Sequence, residues 1–446
     1  MTQAAQISAG DTAWVLASSA LVMVMTVGLA FFYGGLVRSK NALNTMMMSI
    51  VALGVISVTW VLFGYSFAFA PGGALIGGTA WLGFNGVGAD PHPSYGATIP
   101  LQAHAVFQLM FAIITPALIS GAIVERMKFK AYVAFIVLWG ALVYVPLAHW
   151  VWSPDGWLFK KGALDFAGGT VVHISAGVSA FVVAKLLGPR QGFQRTPLMP
   201  HNVPLVLLGA GMLWFGWFGF NSGSALAANG LAALAFVNTN TAAAAAVVTW
   251  AALDMFRGGK VTAVGVATGA VVGLVCITPA AGYVTARAAI VIGMAGAVVS
   301  YFAIQKRSKS ALDDSLDVFS CHGLAGIAGA LLTGVFATKL ANPAAADGLL
   351  HGNPGQLWTQ VIAVASAIAI AVVGTLAIFY AVRAVFGMRA EVKEEITGLD
   401  VTEHGEEAYL GGDLGGFAGP GVAIGQGVVL SSSPRPAAAP PAPATR

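Results

Sequence analysis

Charge is the scarcest feature of this sequence: Asp, Glu, Lys and Arg make up 9% of its 446 residues, while apolar types make up 57%. An ordinary soluble domain carries about 25% charged residues. The deficit excludes a soluble globular class and leaves an integral membrane protein. Short alternating strands, the mark of a membrane barrel, are also missing, so the spanning elements are expected to be helices. Cysteine occurs only at positions 276 and 321, inside apolar runs, which excludes a disulfide framework and leaves two free thiols. Nothing resembles a nucleic-acid site, and the formal net charge of +4 is explained by topology.

What the sequence has in abundance is apolar runs, each near the roughly 20 residues that cross a bilayer as a helix. Eleven are expected, over 12–37, 46–70, 101–124, 131–151, 167–187, 203–222, 230–253, 261–280, 285–305, 318–337 and 357–386. Lysine and arginine accumulate on the cytoplasmic side of membrane proteins. An outside N-terminus puts all but Lys160, Lys161, Arg287 and Lys339 of the 22 basic residues inside, among them Arg38, Lys40, Arg126, Lys128, Lys130, Lys306, Arg307 and Lys309. The expected orientation is therefore N-out and C-in. The first run is too long for a signal-peptide core and has no basic segment before it, so it reads as a retained span. Residues 1–386 form the membrane domain. Residues 387–410 are mixed and charged, as suits a compact cytosolic segment, and 411–446, rich in Gly, Ser, Pro and Ala, read as a disordered tail.

Two histidines sit where the surrounding sequence is lipid-soluble. "HISAG" (His173–Gly177) and "HGLAG" (His322–Gly326) repeat one pattern five spans apart. An odd number of spans inverts one copy relative to the other, which predicts two inverted five-helix repeats followed by a last helix. Each histidine lies only about 10 Å inside its own helix end at 1.5 Å per residue, so the two meet only if these helices start below the interface. Two imidazoles fall short of the three or four ligands that zinc takes, and no Cys, Asp or Glu cluster stands at ligand spacing, so no metal is expected. Each ring could simply be a core group bonded to backbone. Paired, neutral imidazoles could instead bond to each other and offer a donor and an acceptor to a small polar solute in a narrow apolar pore.

"DFAGGTVVHISAG" (165–177), "GWFGFNSGSA" (216–225), "AALAFVNT" (232–239), "DVFSCHGLAGIAG" (317–329) and "GLDVTEHGEEAY" (398–409) together resemble the ammonium transporter (Amt/Mep/Rh) family, and more narrowly its bacterial Amt branch. The resemblance covers about residues 12 to 410. It implies a homotrimer in the cell's inner (plasma) membrane, with one pore per subunit and no cofactor. His173 and His322 correspond to the pore's twin histidines. Phe111 and Phe220 resemble a stacked aromatic gate. Trp152 and Ser224, with Phe111, resemble an outer cation site, Trp150 being a close neighbour of the tryptophan position. Asp165 corresponds to an essential acid near that vestibule. The 398–409 motif resembles a segment that couples subunits and helps a PII-type nitrogen-signalling protein plug the pores from inside.

Plainer readings stand beside these. Asp165 can cap the N–H groups of Gly168 and Gly169 at a helix start. Phe111 and Phe220 can be packing, Trp152 an interfacial anchor, and His104 and His149 interfacial or vestibule groups. The expected function is transport of ammonium or ammonia, with methylammonium as a related substrate. One alternative is an ammonium sensor that signals to a cytosolic partner, although the 60 residues after position 386 hold no folded signalling domain. The other is a proton-coupled transporter of another small amine, which usually needs a mid-membrane carboxylate that these spans lack. No nucleophile, base and orienting group recur together, so an enzyme is not expected.

Overall fold

The computed structural model describes residues 6–409. Among them every extended element is helical, and the two isolated bridges, Pro91 with Pro100 and Met127 with Arg389, build no strand. Among the described residues ten helices are long and apolar enough to cross a membrane: α1 Ala9–Leu36, α2 Ser39–Phe69, α3 Leu101–Ala122, α4 Phe129–Lys160, α5 Gly169–Leu187, α6 Val203–Ala225, α7 Gly230–Gly258, α9 Ala286–Ser308, α10 Phe319–Phe336 and α11 Pro354–Phe386. Between α7 and α9 lies α8, Ala263–Ile277, with 15 residues. At 1.5 Å per residue it falls short of the about 30 Å hydrocarbon core. The expected run over 261–280 is thus shorter as a helix. Turns begin at Thr278, where Pro279 cannot continue the hydrogen-bond ladder. The break has a use: the Pro279 carbonyl accepts from Phe166 N (3.1 Å), and the proline ring lies where a side chain on Gly169 would go.

Helix starts follow their capping residues. Asn202 accepts from Leu205 N at the start of α6, Asn229 from Leu231 N and Ala232 N at α7, and Thr262 from Gly265 N at α8. Within the bundle α1 packs most extensively against α6, α7 to α9 pack on one another, and α5 packs on α10 and α11. Of the apolar windows, 89% of α3 and 83% of α5 are buried, against 33% of α11. α3 and α5 therefore stand at the centre and α11 at the periphery.

At one end of the bundle, buried charges are paired. Glu125 accepts from Arg38 (2.7 Å) and Arg190 (3.2 Å), and Asp313 pairs with Arg190 at 2.9 Å. Burial pushes the Glu125 carboxyl up, but Arg190 and Arg38 outweigh it and hold it below the usual range. The segment after α11 lies here too, within the same compact unit as the helices up to Ala408. Ala390 N donates to Arg126 O (2.9 Å) and Arg389 pairs with Glu395 (2.6 Å) on the short helix α12, Val392–Thr397. Asp400 accepts from Leu43 N (3.0 Å) and Asn44 N (2.7 Å), capping the first turns of α2. The expected tail, 411–446, lies outside the described residues.

Candidate functional site

His173 and His322 meet. Their Nδ1 atoms are 3.3 Å apart, their ring centroids 5.3 Å apart, and their planes 29° from parallel. One Nδ1 must donate and the other accept, so the pair presents one Nε2 acceptor and one Nε2–H donor. His173 Nε2 is buried with no partner among the described residues, and its ring stacks on Trp217 at 5.4 Å. Both rings line a cavity of about 20 Å³ whose other walls include Leu29, Ile114, Leu118, Trp217 and Phe220. The imidazole nitrogens therefore border a small, otherwise apolar cavity.

The approach of the rings depends on glycine. A side chain on Gly177 would run into Gly323 N, and one on Gly326 would stand 3.1 Å from His173 Cβ. The final glycine of each H-x-x-A-G motif thus lets its helix press against the other helix beside the other histidine. That contact accounts for the repeated pattern in terms of packing.

The starts of α5 and α10 are copies at a constant offset of 149 residues. The Asp165 carboxylate accepts from Gly168 N (2.9 Å), Thr170 N (2.8 Å) and Val171 N (3.0 Å). Asp314 accepts from Val318 N (3.0 Å) and Phe319 N (2.7 Å). Three residues after each aspartate the backbone is left-handed, at Gly168 (φ 111°) and Asp317 (φ 59°). Each of those carbonyls accepts from the residue before the histidine, Val172 N at 2.8 Å and Cys321 N at 2.9 Å. Both histidines then sit on π-helical turns, Gly169–Ile174 and Phe319–Leu324. Burial pushes the Asp165 carboxyl above the usual range and Asp314 up to about 7, although the backbone N–H groups oppose the shift. The two helix starts contact each other directly, which is why rings so near those starts meet.

On one side of the histidines, Phe220 and Phe111 overlap with ring centroids 4.2 Å apart and planes 35° from parallel. Beyond them a pocket of about 110 Å³ is lined by Phe111, Trp152, Ser224, His104, Gln108 and Tyr95, among others. Trp152 stands edge-on to Phe111 at 5.8 Å, and its Nε1 donates to the Asp165 carbonyl (3.0 Å). Ser224 donates its hydroxyl proton to the Phe220 carbonyl (2.9 Å), leaving oxygen lone pairs free to accept. Trp152, not Trp150, faces this pocket; Trp150 donates to Leu75 O (2.8 Å) and packs on Trp157. Asp165 does not line it, because its carboxylate is turned into the start of α5. His104 bonds Tyr65 OH (3.0 Å) and stacks on Tyr95, whereas both nitrogens of His149 contact carbonyl oxygens, of Ala68 and Gly73. On the other side, His322 also borders a cavity of about 570 Å³ that reaches Arg190, Arg307 and Asp254. The Trp152 pocket and the Arg190 cavity thus flank the histidine pair.

A family model described as the Ammonium Transporter Family matches residues 13–409. The chain belongs to this family. It is 48% identical over 401 residues to an ammonium transporter of Bacillus subtilis (strain 168), covering 90% of this chain and 98% of that protein. It is also 48% identical over 414 residues to an ammonium transporter of Aquifex aeolicus (strain VF5), covering 91% and 94%. Among solved structures it resembles Saccharomyces cerevisiae Mep2 with a TM-score of 0.81, 36% identity and coverage of 87% of this chain and 91% of that one. A structure described as a sensor Amt protein matches at a TM-score of 0.81 and 31% identity, covering 89% and 98%. Set against this ammonium transporter chain, residue-by-residue reading missed Asp314, Trp217 and the Gly177–Gly323 crossing. Asp314 was within reach: both aspartates stand eight residues before their histidine.

Proposed function

We propose that the protein conducts ammonia derived from ammonium, entering at the Trp152 mouth and leaving at the Arg190 mouth. The observation that carries this reading is the touching histidine pair in a small apolar cavity that lies between the two mouths. A bare ammonium ion is too costly to bring into such a tube, since the penalty for desolvating an ion there is at least several kcal/mol. Ammonia is neutral and fits a stripe of one donor and one acceptor. Ammonium is first recruited between the Trp152 and Phe111 rings, where cation–π attraction contributes about 0.5–2 kcal/mol, and donates to Ser224 Oγ. It gives up its proton before passing Phe111 and Phe220, whose overlapped rings must swing apart. Asp165 acts through position: its cap fixes the turn of α5 that carries His173, while its carbonyl orients Trp152.

The same reading takes α8 as a crossing, making eleven, with α1–α5 and α6–α10 as inverted repeats and α11 as the last helix. The matched α5 and α10 starts and the long α1–α6 contact support it. The basic residues near the Arg190 mouth support N-out and C-in placement in the plasma membrane. Family likeness supports a homotrimer and a PII-type partner at the Arg190 face, where residues 387–410 act as the regulatory segment. The test is uptake of labelled methylammonium with unlabelled ammonium as competitor. Saturable uptake that ammonium displaces supports the reading; uptake that ammonium leaves unchanged overturns it. Binding of ammonium with no flux would favour the sensor alternative that the sensor-like neighbour suggests.

A further inference from the structure

We infer that the Arg190 mouth holds a second cation site, built on Asp254, that detains ammonium as it leaves. The inference rests on the transport reading above and extends it to the far end of the pore. Four ionised side chains face the cavity there: Arg190, Arg307, Asp317 and Asp254. Arg190 is tied to Glu125 and Asp313, and Arg307 to Asp317 at 2.7 Å. Among the described residues, Asp254 alone of the four forms no ion pair. Its Oδ2 accepts from Thr262 N (3.1 Å) and Thr262 Oγ1 (2.9 Å), and its Oδ1 has no hydrogen-bond partner among the described residues. A half-buried carboxylate with one oxygen unused is therefore the negative feature of a cavity whose positive groups are already neutralised.

The surroundings suit a small cation. Asp254 lies in the last turns of α7, where the helix dipole presents its negative end. Arg257, the nearest competing cation in sequence, is drawn off over the Phe302 ring at 5.1 Å. Trp250, one turn before Asp254, meets Tyr301 edge-on at 5.2 Å, giving the cavity an aromatic wall. Gly265 lets these groups close in on one another: a methyl group there would stand 2.7 Å from both Asp254 Oδ2 and Trp250 Nε1. An ammonia molecule that has passed His322 takes a proton from hydronium, becoming ammonium and releasing water. Asp254 then holds the product cation at the exit until it diffuses away, so cytosolic ammonium can occupy the same site and oppose further delivery.

The test compares methylammonium entry from each mouth, in right-side-out and inside-out membrane vesicles carrying the full chain. Asn at position 254 keeps an acceptor for Thr262 and removes the charge. For Asp254→Asn we expect half-saturation from the Arg190 mouth to rise about twofold to fivefold, the range for a partly exposed charge pair. Half-saturation from the Trp152 mouth should not move. Gly265→Ala, which keeps the carboxylate but drives a methyl group against Asp254 Oδ2 and Trp250 Nε1, should shift the same mouth in the same direction. Unchanged half-saturation at the Arg190 mouth in both variants, or equal shifts at both mouths, would overturn the site. Wild-type vesicles without saturable flux from either side would instead overturn the transport reading, and the site with it.

Discussion

Removing the Asp165 cap should cost more stability than any other single polar change near the histidines. Its carboxylate accepts three backbone N–H groups, from Gly168, Thr170 and Val171, all buried. Hydrogen bonds to a charged acceptor contribute about 1.5–3 kcal/mol each, and a buried donor left alone costs about 1–3 kcal/mol. Burying the charge offsets part of that gain, which is why the carboxyl is shifted upward. Asp165→Ala orphans all three donors and should destabilise by about 3–5 kcal/mol. Asp165→Asn places a carbonyl near Thr170 and Val171 but turns an NH2 group toward Gly168 N, so about 2–3 kcal/mol is expected. Because this turn carries His173, flux should fall in the same order, wild type above Asn above Ala. The assay is denaturant unfolding in mixed micelles beside ammonium-driven flux in proteoliposomes. A loss below about 1 kcal/mol in Asp165→Ala would refute the capping argument. A folded Asn variant with no flux would show that the charge itself acts on the cation.

Trp152→Leu should raise the half-saturation for methylammonium from its own mouth by about twofold to thirtyfold, the equivalent of 0.5–2 kcal/mol of cation–π attraction, while saturated flux changes little; unchanged half-saturation would remove Trp152 from the site. Glu125→Gln leaves Arg38 and Arg190 facing a neutral amide and should cost about 3–5 kcal/mol at neutral pH. Because the Glu125 carboxyl is held below its unfolded value, its contribution is present above about pH 4.3 and is lost as pH falls through the folded value. The gap in unfolding free energy between wild type and Glu125→Gln should therefore be flat from pH 7 to about 5 and narrow below about 4; a flat gap throughout would contradict the ion-pair account. Asp400→Ala removes the cap on α2 and should cost about 1–2 kcal/mol locally. Faster hydrogen exchange over 398–408 checks this, and exchange identical to wild type would contradict it.

The spans were legible because lipid imposes long apolar runs, and each observed helix of membrane length overlaps an expected run, although α2 starts at Ser39 instead of 46 and α4 ends at Lys160 instead of 151. α8 was overestimated because apolar composition continues through Ile277 into a turn that only Pro279 marks. The repeated H-x-x-A-G motif disclosed the two histidines, but not why glycine ends it, since the reason is a neighbour 149 residues away. Asp165 was readable as a cap, with Gly168 among its donors. The others are Thr170 and Val171, one π-helical turn on, because sequence spacing assumes ordinary α-geometry. Phe111 and Phe220 carry no local signal that separates them from the other phenylalanines, so only family likeness pointed to them. In the network joining Arg38, Glu125, Arg190 and Asp313, the arginines were read only as inside basic residues and the two acids were not singled out, because pairing between loops leaves no trace in spacing.

The most direct measurement is ammonium-driven flux through purified protein in proteoliposomes, for wild type, His173→Ala and His322→Ala, with folding checked by size-exclusion elution. Wild type should carry saturable flux that methylammonium competes for. Each alanine variant leaves one imidazole without its Nδ1 partner and breaks the donor–acceptor stripe, so flux should fall at least about tenfold, as expected for a lost contact of about 1.4 kcal/mol or more in the rate-limiting passage. Folded variants that keep wild-type flux would contradict the claim that ammonia passes along the histidine pair.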